Sequence, residues 1–440
     1  MQETAKDALV VAFRGEREGT ARLTFGQEYI GNALARLRPH DQHMNLGLVA
    51  PVPQGAGMAD VTRALGALLR AYESLRTRYE PGGGQSLRQV LVRRGSIPLE
   101  VVEVDASVPG DGSDPVEDVV ARLRLRAFDP AADLPVRAAV LSSGGRPWCL
   151  VLALSRMAAD GHSAQLVRRY LELEMAAPGR AAATMGFGRQ PLDQTAYESS
   201  PAGVRAAERA LAHWRRKLPA FPDSTPLTGT PDGPRFRRAE LASPALGEAV
   251  AELSRRLGVS RHSVVLTATM LAIGVDHEGP RAMTVISDNR HVRELRWSVM
   301  NLPQRVPVVV DLTGVSFGEA VGRIHVAGLG ACRFGLYSPA ALRALLTETT
   351  VSRGVSPDTD LTFNSFEQGE ALSPRRSFTW TLESDREPEG FRFFDFFGPD
   401  RMRLYADMLR LSPARVAETL DTVENILVRA AASAVRPGRA

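Results

Sequence analysis

Within nine residues, Ser155-Arg156-Met157-Ala158-Ala159-Asp160-Gly161-His162-Ser163 gathers a hydroxyl, a guanidinium, a carboxylate and an imidazole. The segment follows directly on Pro147 to Leu154, an unbroken apolar run of strand length that reads as a strand buried on both faces. Arg156 carries donors only and keeps its proton, so it fits holding an anion or a carbonyl oxygen and is disqualified as a general base. A serine such as Ser155 attacks a carbonyl only when a base takes its proton, and nothing in the segment is spaced to do so. Imidazole as a side-chain type titrates near neutrality, which makes His162 the candidate for a displaced base. It stands one residue beyond Gly161, at the expected start of a helix, which aims it away from the strand end.

Other chemistries lack their residues. The chain holds no GxxxxGK[ST], no GxGxxG at a strand-to-helix turn, no HExxH and no GxSxG. Cys149 and Cys332 form neither a disulfide framework nor a zinc cluster and read as two buried thiols. His213, His277, His291 and His325 show no ligand spacing, so no metal is expected. Of 54 basic residues only Lys6 and Lys217 are lysines; the arginines are scattered, and with a net charge of +4 the chain shows no nucleic-acid footprint. Its N-terminus has no signal-peptide pattern, and no apolar run approaches the ~18 residues of a membrane span, so a cytoplasmic protein is expected.

The elements that must position these groups are legible in part. Val61 to Leu75 and Leu166 to Met175 carry apolar residues at helical spacing, with Ser163 as the expected N-cap of the second. Pro178, Gly179, an alanine triplet, Gly186, Gly188, Pro191, Pro201 and Gly203 mark 177–203 as the expected linker. Beyond it come helices over 204–218 and 261–275, with Ser260 capping the latter, and strands at Met283 to Ser287, Arg305 to Leu312, Leu361 to Phe366, Phe378 to Glu383 and Arg401 to Leu409. Trp214 and Trp297 read as packing residues. With 440 residues this describes two α/β lobes, 1–176 and 204–440.

The order of short motifs resembles the condensation domains of nonribosomal peptide synthetases nearly end to end. Thr24-Phe25-Gly26-Gln27 is similar to the family's SxxQ-type opening, and Glu73-Ser74-Leu75-Arg76-Thr77-Arg78-Tyr79 to its RHExLRTxF motif. Ser155 to Gly161 falls where the family has HHxxxDG: Asp160 and Gly161 fit, while Ser155 and Arg156 replace both histidines. His213-Trp214-Arg215, Arg290 and Val299 to Arg305 resemble the YWR, GR and FVNTLPLR segments.

The resemblance implies two chloramphenicol-acetyltransferase-like lobes in a V-shaped pseudo-dimer around a central tunnel, to which carrier proteins bring phosphopantetheine-linked thioesters in trans. No cofactor of the chain's own is implied. The family's second histidine faces the tunnel and assists the acceptor, so Arg156 makes histidine-assisted amide formation doubtful. Asp160 is expected to make a structural salt bridge with Arg290 of the other lobe, Gly161 to be a turn residue with a relaxed backbone, and Asn301 to hydrogen-bond across the lobe interface, where it is the candidate substrate-binding residue. Two functions stay open. One is divergent acyl transfer, forming an amide, ester or cycle, with Arg156 on the oxyanion. The other is a catalytically silent module that recruits a carrier protein or tailoring enzyme, with Arg156 paired to a nearby acid.

Overall fold

A computed structural model of the chain describes residues 6–83, 87–104, 114–224, 227, 231, 233–273, 279–366, 371–384 and 392–433. The fold is mixed α/β and divides into two compact units, Met1–Arg205 with Asn289–Pro303 and Ala206–Asp288 with Gln304–Ala440. His277 lies outside the described residues. No described helix is long and apolar enough to cross a membrane.

The first unit opens with β1 (Lys6–Arg14), β2 (Gly19–Arg22), α1 (Phe25–Leu37), β3 (Leu46–Pro51), α2 (Met58–Ala71), β4 (Thr77–Pro81) and β5 (Leu87–Leu91). It continues with β6 (Arg94–Glu103), α3 (Pro115–Arg124), β7 (Val136–Ser143), β8 (Arg146–Leu154), α4 (Gly161–Ala176), α5 (Arg180–Thr184) and α6 (Pro191–Ser199). Five strands form a sheet in the order β1-β6-β7-β8-β3, and β2-β5-β4 form a smaller one. β8 is buried on both faces because alternate residues serve different cores. Leu150, Leu152 and Leu154 join Leu65, Leu68, Val167 and Leu171 of α2 and α4, while Cys149, Val151 and Ala153 join Val119 and Leu123 of α3. Each such leucine contributes about 1.5–3 kcal/mol by leaving water, enough together to hold the end of β8 in place.

The stretch 177–203 carries α5, α6 and the start of the helix from Pro201, with 185–190 non-helical between the first two. Its glycines and prolines punctuate helices: Gly179 precedes α5 with φ 76, and Pro191 begins α6. Glu198 of α6 ties it down, accepting from the Phe25 amide at 3.0 and 3.1 Å. That amide lies at the N-terminus of α1, where Thr24 and Gln27 form a capping box, which gives the first motif a structural reading. Burial pushes the Glu198 carboxyl up to about 7 against the donors Gln194, Phe25 and Arg22. A carboxyl raised on folding stabilises most below its unfolded value and loses that contribution as pH rises through the folded one. The difference in unfolding free energy between wild type and Glu198→Gln should therefore fall by about 3 kcal/mol between pH 4 and 8 in urea titrations; a flat difference would contradict this.

The chain enters the second unit within α7 (Pro201–Lys217) and continues through β9 (Phe236–Ala242), α8 (Pro244–Leu257), α9 (Arg261–Ile273), β10 (Arg281–Ser287) and β11 (Gln304–Val310). Then follow α10 (Phe317–Cys332), α11 (Pro339–Arg353), β12 (Leu361–Phe366), β13 (Ser377–Ser384), β14 (Arg392–Phe397), β15 (Arg401–Asp407) and α12 (Pro413–Ser433). Seven strands form one sheet in the order β11-β10-β12-β14-β15-β9-β13. Its core packs Met283, Val285, Phe363 and Phe394 against Leu253, Val264 and Leu420 of α8, α9 and α12. Trp214 is buried, whereas Trp297, which belongs with 289–303 to the first unit, is 37% exposed and packs against Gly186 of that same unit. Cys149 is buried, but Cys332 is half-buried, so only one of the two thiols is sealed in a core.

Candidate functional site

The loop after β8 turns sharply and is pinned residue by residue. The Ser155 amide donates to Pro135 O at 3.0 Å, and Ser155 O accepts from the amides of Ala158 and Ala159 at 3.0 and 3.2 Å. Ser155 Oγ accepts from the Met157 amide at 3.3 Å, so this hydroxyl braces a turn. Tyr79, from the second motif, donates its hydroxyl to Met157 O at 3.0 Å, and Asn301 Nδ2 donates to Arg156 O at 3.0 Å. Sequence reasoning did not single out Tyr79; its signal was only that it ends a motif.

Asp160, not Ser163, caps α4, with its Oδ1 accepting from the Ser163 amide at 2.7 Å. The same carboxylate accepts from Arg290 Nη1 and Nη2 at 2.8 and 2.9 Å and from the Leu302 amide at 3.2 Å. Ser163 is the second hub: its Oγ donates to Met300 O at 2.9 Å and accepts from the Met300 amide and Arg290 Nη2, both at 3.1 Å. Burial alone would raise the Asp160 carboxyl, but the charge and hydrogen bonds of Arg290, with the Ser163 donors, hold it below the usual carboxylate range. Arg290 comes from the second half of the sequence, yet it packs in the first unit, because 289–303 folds back onto it. Asn301 belongs to the same segment, so its bond to the Arg156 carbonyl lies inside that unit and not across an interface. The return begins at Asn289, whose φ of 60 suits an asparagine and whose Nδ2 donates to Leu302 O at 2.8 Å. Gly26 of α1 admits this backbone: a Cβ there would sit 2.1 Å from Asn301 O.

Gly161 needs no relaxed backbone. It is the first residue of α4, with no left-handed φ, and a Cβ there would meet nothing within 4 Å. Gly161→Ala should leave stability within about 0.5 kcal/mol of wild type. Lost turnover with unchanged stability would mark the open space above it as substrate room, whereas a large loss of stability would contradict the geometry. His162 occupies the second position of α4, half-buried.

Arg156 differs from every other group in the loop. Its backbone is fixed, it is half-buried, its Nε is buried without a hydrogen-bond partner, and among the described residues it pairs with no carboxylate. The expected alternative, a guanidinium neutralised by a nearby acid, is absent among those residues. A half-buried guanidinium with no carboxylate partner among the described residues has donors left with which an oxyanion or carboxylate could pair. Among the described residues no group of three or more His, Cys, Asp or Glu is placed to hold a metal ion.

No family model matches the chain. Over 200 residues, 42% of this chain, it is 30% identical to a probable nonribosomal peptide synthetase from Salinispora arenicola, and this match is 2% of that relative. Over 180 residues, 40% of this chain, it is 27% identical to a nonribosomal peptide synthetase from Curvularia clavata, 1% of that relative. The chain thus spans a small fraction of the length of the curated relatives it matches. Among solved structures, its fold is similar to the condensation domain that mediates chain release from the enacyloxin polyketide synthase, with TM-score 0.74, 20% identity and coverage of 95% of this chain and 84% of that one. It is similar also to the first condensation domain of the calcium-dependent antibiotic synthetase, with TM-score 0.64, 17% identity and coverage of 94% and 96%. The X-domain in complex with OxyB from teicoplanin biosynthesis matches with TM-score 0.63, 19% identity and coverage of 96% and 95%.

Proposed function

From a chain with the condensation-domain fold, of chloramphenicol-acetyltransferase type, we propose a divergent acyltransferase of nonribosomal peptide or polyketide assembly. Its substrate is an acyl or aminoacyl thioester carried on the phosphopantetheine of a carrier protein, and its acceptor is an amine or alcohol. Arg156 carries this reading: a half-buried guanidinium without a carboxylate partner, at the position of the family's second histidine.

Arg156 cannot accept a proton, so the acceptor attacks with its own lone pair. As the new C–N or C–O bond forms, negative charge gathers on the carbonyl oxygen, and the guanidinium offsets it. Collapse of the tetrahedral species breaks the C–S bond, and the acceptor's proton passes through water to the leaving thiolate. Positioning supplies the remainder, since well-oriented reactants can lower a barrier by about 7–11 kcal/mol. Asp160, Arg290 and Ser163 hold the loop in register and take no part in the chemistry.

The test is intact-protein mass spectrometry of carrier proteins loaded with candidate acyl groups, mixed with the purified protein and an acceptor. Consumption of the thioester with appearance of an acylated acceptor supports acyl transfer. Carrier binding without consumption would favour the recruitment reading, which the fold shared with an X-domain that complexes OxyB supports.

A further inference from the structure

Arginines scattered through the sequence meet at one place in the first unit. The starts of β6 and β7 and the loop 126–134 enclose a cleft of about 270 Å³. Arg78 of β4, Arg94 of β6, Arg126 of the loop and Arg137 of β7 line it, against two acids, Glu100 and Asp133. Both acids are already committed: Glu100 accepts from Arg122 at 2.6 Å and Asp133 from Arg137 at 3.1 Å. Arg78, Arg94 and Arg126 pair with no carboxylate among the described residues. Arg78 is half-buried, and its Nε is buried without a hydrogen-bond partner.

The surrounding structure keeps these charges together. Arg137 donates to Arg126 O and Ala127 O, both at 2.7 Å, and lies 3.8 Å from the centre of the Phe128 ring, so the loop that carries Arg126 is tied to β7. Neighbouring residues of a strand face opposite sides: Tyr79 turns to Met157 O, and Arg78 therefore turns away from the Arg156 loop. Val92 and Arg94 also line an adjoining groove of about 770 Å³, to which Arg14 and Arg93 add exposed guanidiniums and Glu18 one carboxylate. Arg14 stands directly opposite Arg94 in the β1–β6 ladder, and like charges so placed repel. That repulsion weakens the free protein and is relieved when an anion binds.

Size and charge together select the ligand. At about 270 Å³ the cleft lies just under the usual span of small-molecule sites, about 300–1,000 Å³, and suits a compact group rather than a protein surface. A single carboxylate offsets one guanidinium, whereas a phosphate ester carries about −1.5 to −2 near neutrality and presents three acceptor oxygens to planar forks of donors. We propose that the cleft binds the phosphate or diphosphate group of a small phosphorylated molecule, with Arg78, Arg94 and Arg126 on its oxygens and the rest of the ligand along the adjoining groove. The site is apart from Arg156 and uses no carrier protein, so it stands or falls independently of the reading above.

The experiment is isothermal titration of the full chain with inorganic diphosphate in about 150 mM NaCl, where loose contacts of exposed charges are screened. The expected result is saturable one-to-one binding, weakened about 10-fold or more by Arg78→Gln and by Arg94→Gln. Arg255→Gln, at an exposed arginine of α8 in the second unit, leaves it unchanged. Malonate, a dicarboxylate, binds about 10-fold more weakly or not at all. Absence of saturable binding, equal affinity for malonate, or full affinity in either folded variant overturns the proposal. Arg94 is exposed, so Arg94→Gln decides the matter if Arg78→Gln does not fold.

Discussion

Asp160→Ala lowers the unfolding free energy by about 3–5 kcal/mol, because it strands the Arg290 guanidinium as a buried charge without its carboxylate. The loss is large because one side chain serves several partners: it caps α4, pairs with both Arg290 terminal nitrogens and takes the Leu302 amide. Adding Arg290→Met removes the orphaned charge, so the double variant should recover part of the loss, a non-additivity that marks direct contact. Acid supplies an independent reading. The folded carboxyl is held below its unfolded value, so the stabilisation is complete above the unfolded aspartate value of about 3.9 and disappears as pH falls through the folded one. Wild type and Asp160→Asn should converge in stability at low pH and separate near neutrality. Chemical denaturation across that range checks both statements, and an Asp160→Ala variant as stable as wild type would refute them.

Arg156→Ala lowers turnover of a loaded carrier about 10²–10³-fold with little change in KM, the scale on which one oxyanion donor acts. Arg156→Lys should retain part of the rate, since a compact ammonium supplies charge without the planar fork of donors. Stability should hold in both, because the Arg156 side chain has no ion pair among the described residues and its carbonyl, not its guanidinium, holds Asn301. Equal turnover in wild type and Arg156→Ala would take Arg156 out of the chemistry.

The sequence was most informative where burial enforces a pattern. β8 announced itself as an apolar run because it faces one core through its leucines and another through Cys149, Val151 and Ala153. The departure from HHxxxDG was equally readable, since residue types alone decide whether a proton can be accepted. Readings failed where tertiary contacts override local preference. Ser163 is a good N-cap residue, but Asp160 captures the first-turn amide and frees the Ser163 hydroxyl for Met300. Glycines and prolines in 177–203 look like a linker because the signals that end a helix also begin the next. The return of 289–303 to the first unit has no local signature, because its cause is the partners it meets at Asp160, Ser163 and Gly26.

The most direct test of a fixed cation in place of a proton acceptor is the pH dependence of single-turnover thioester consumption by the wild type. With Arg156 acting through charge alone, the rate follows only the ionisation of the acceptor itself and shows no inflection of its own between about pH 5.5 and 7.5. An imidazole-like inflection in that window, absent from the free acceptor and abolished by His162→Gln, would assign proton transfer to His162 and contradict the account.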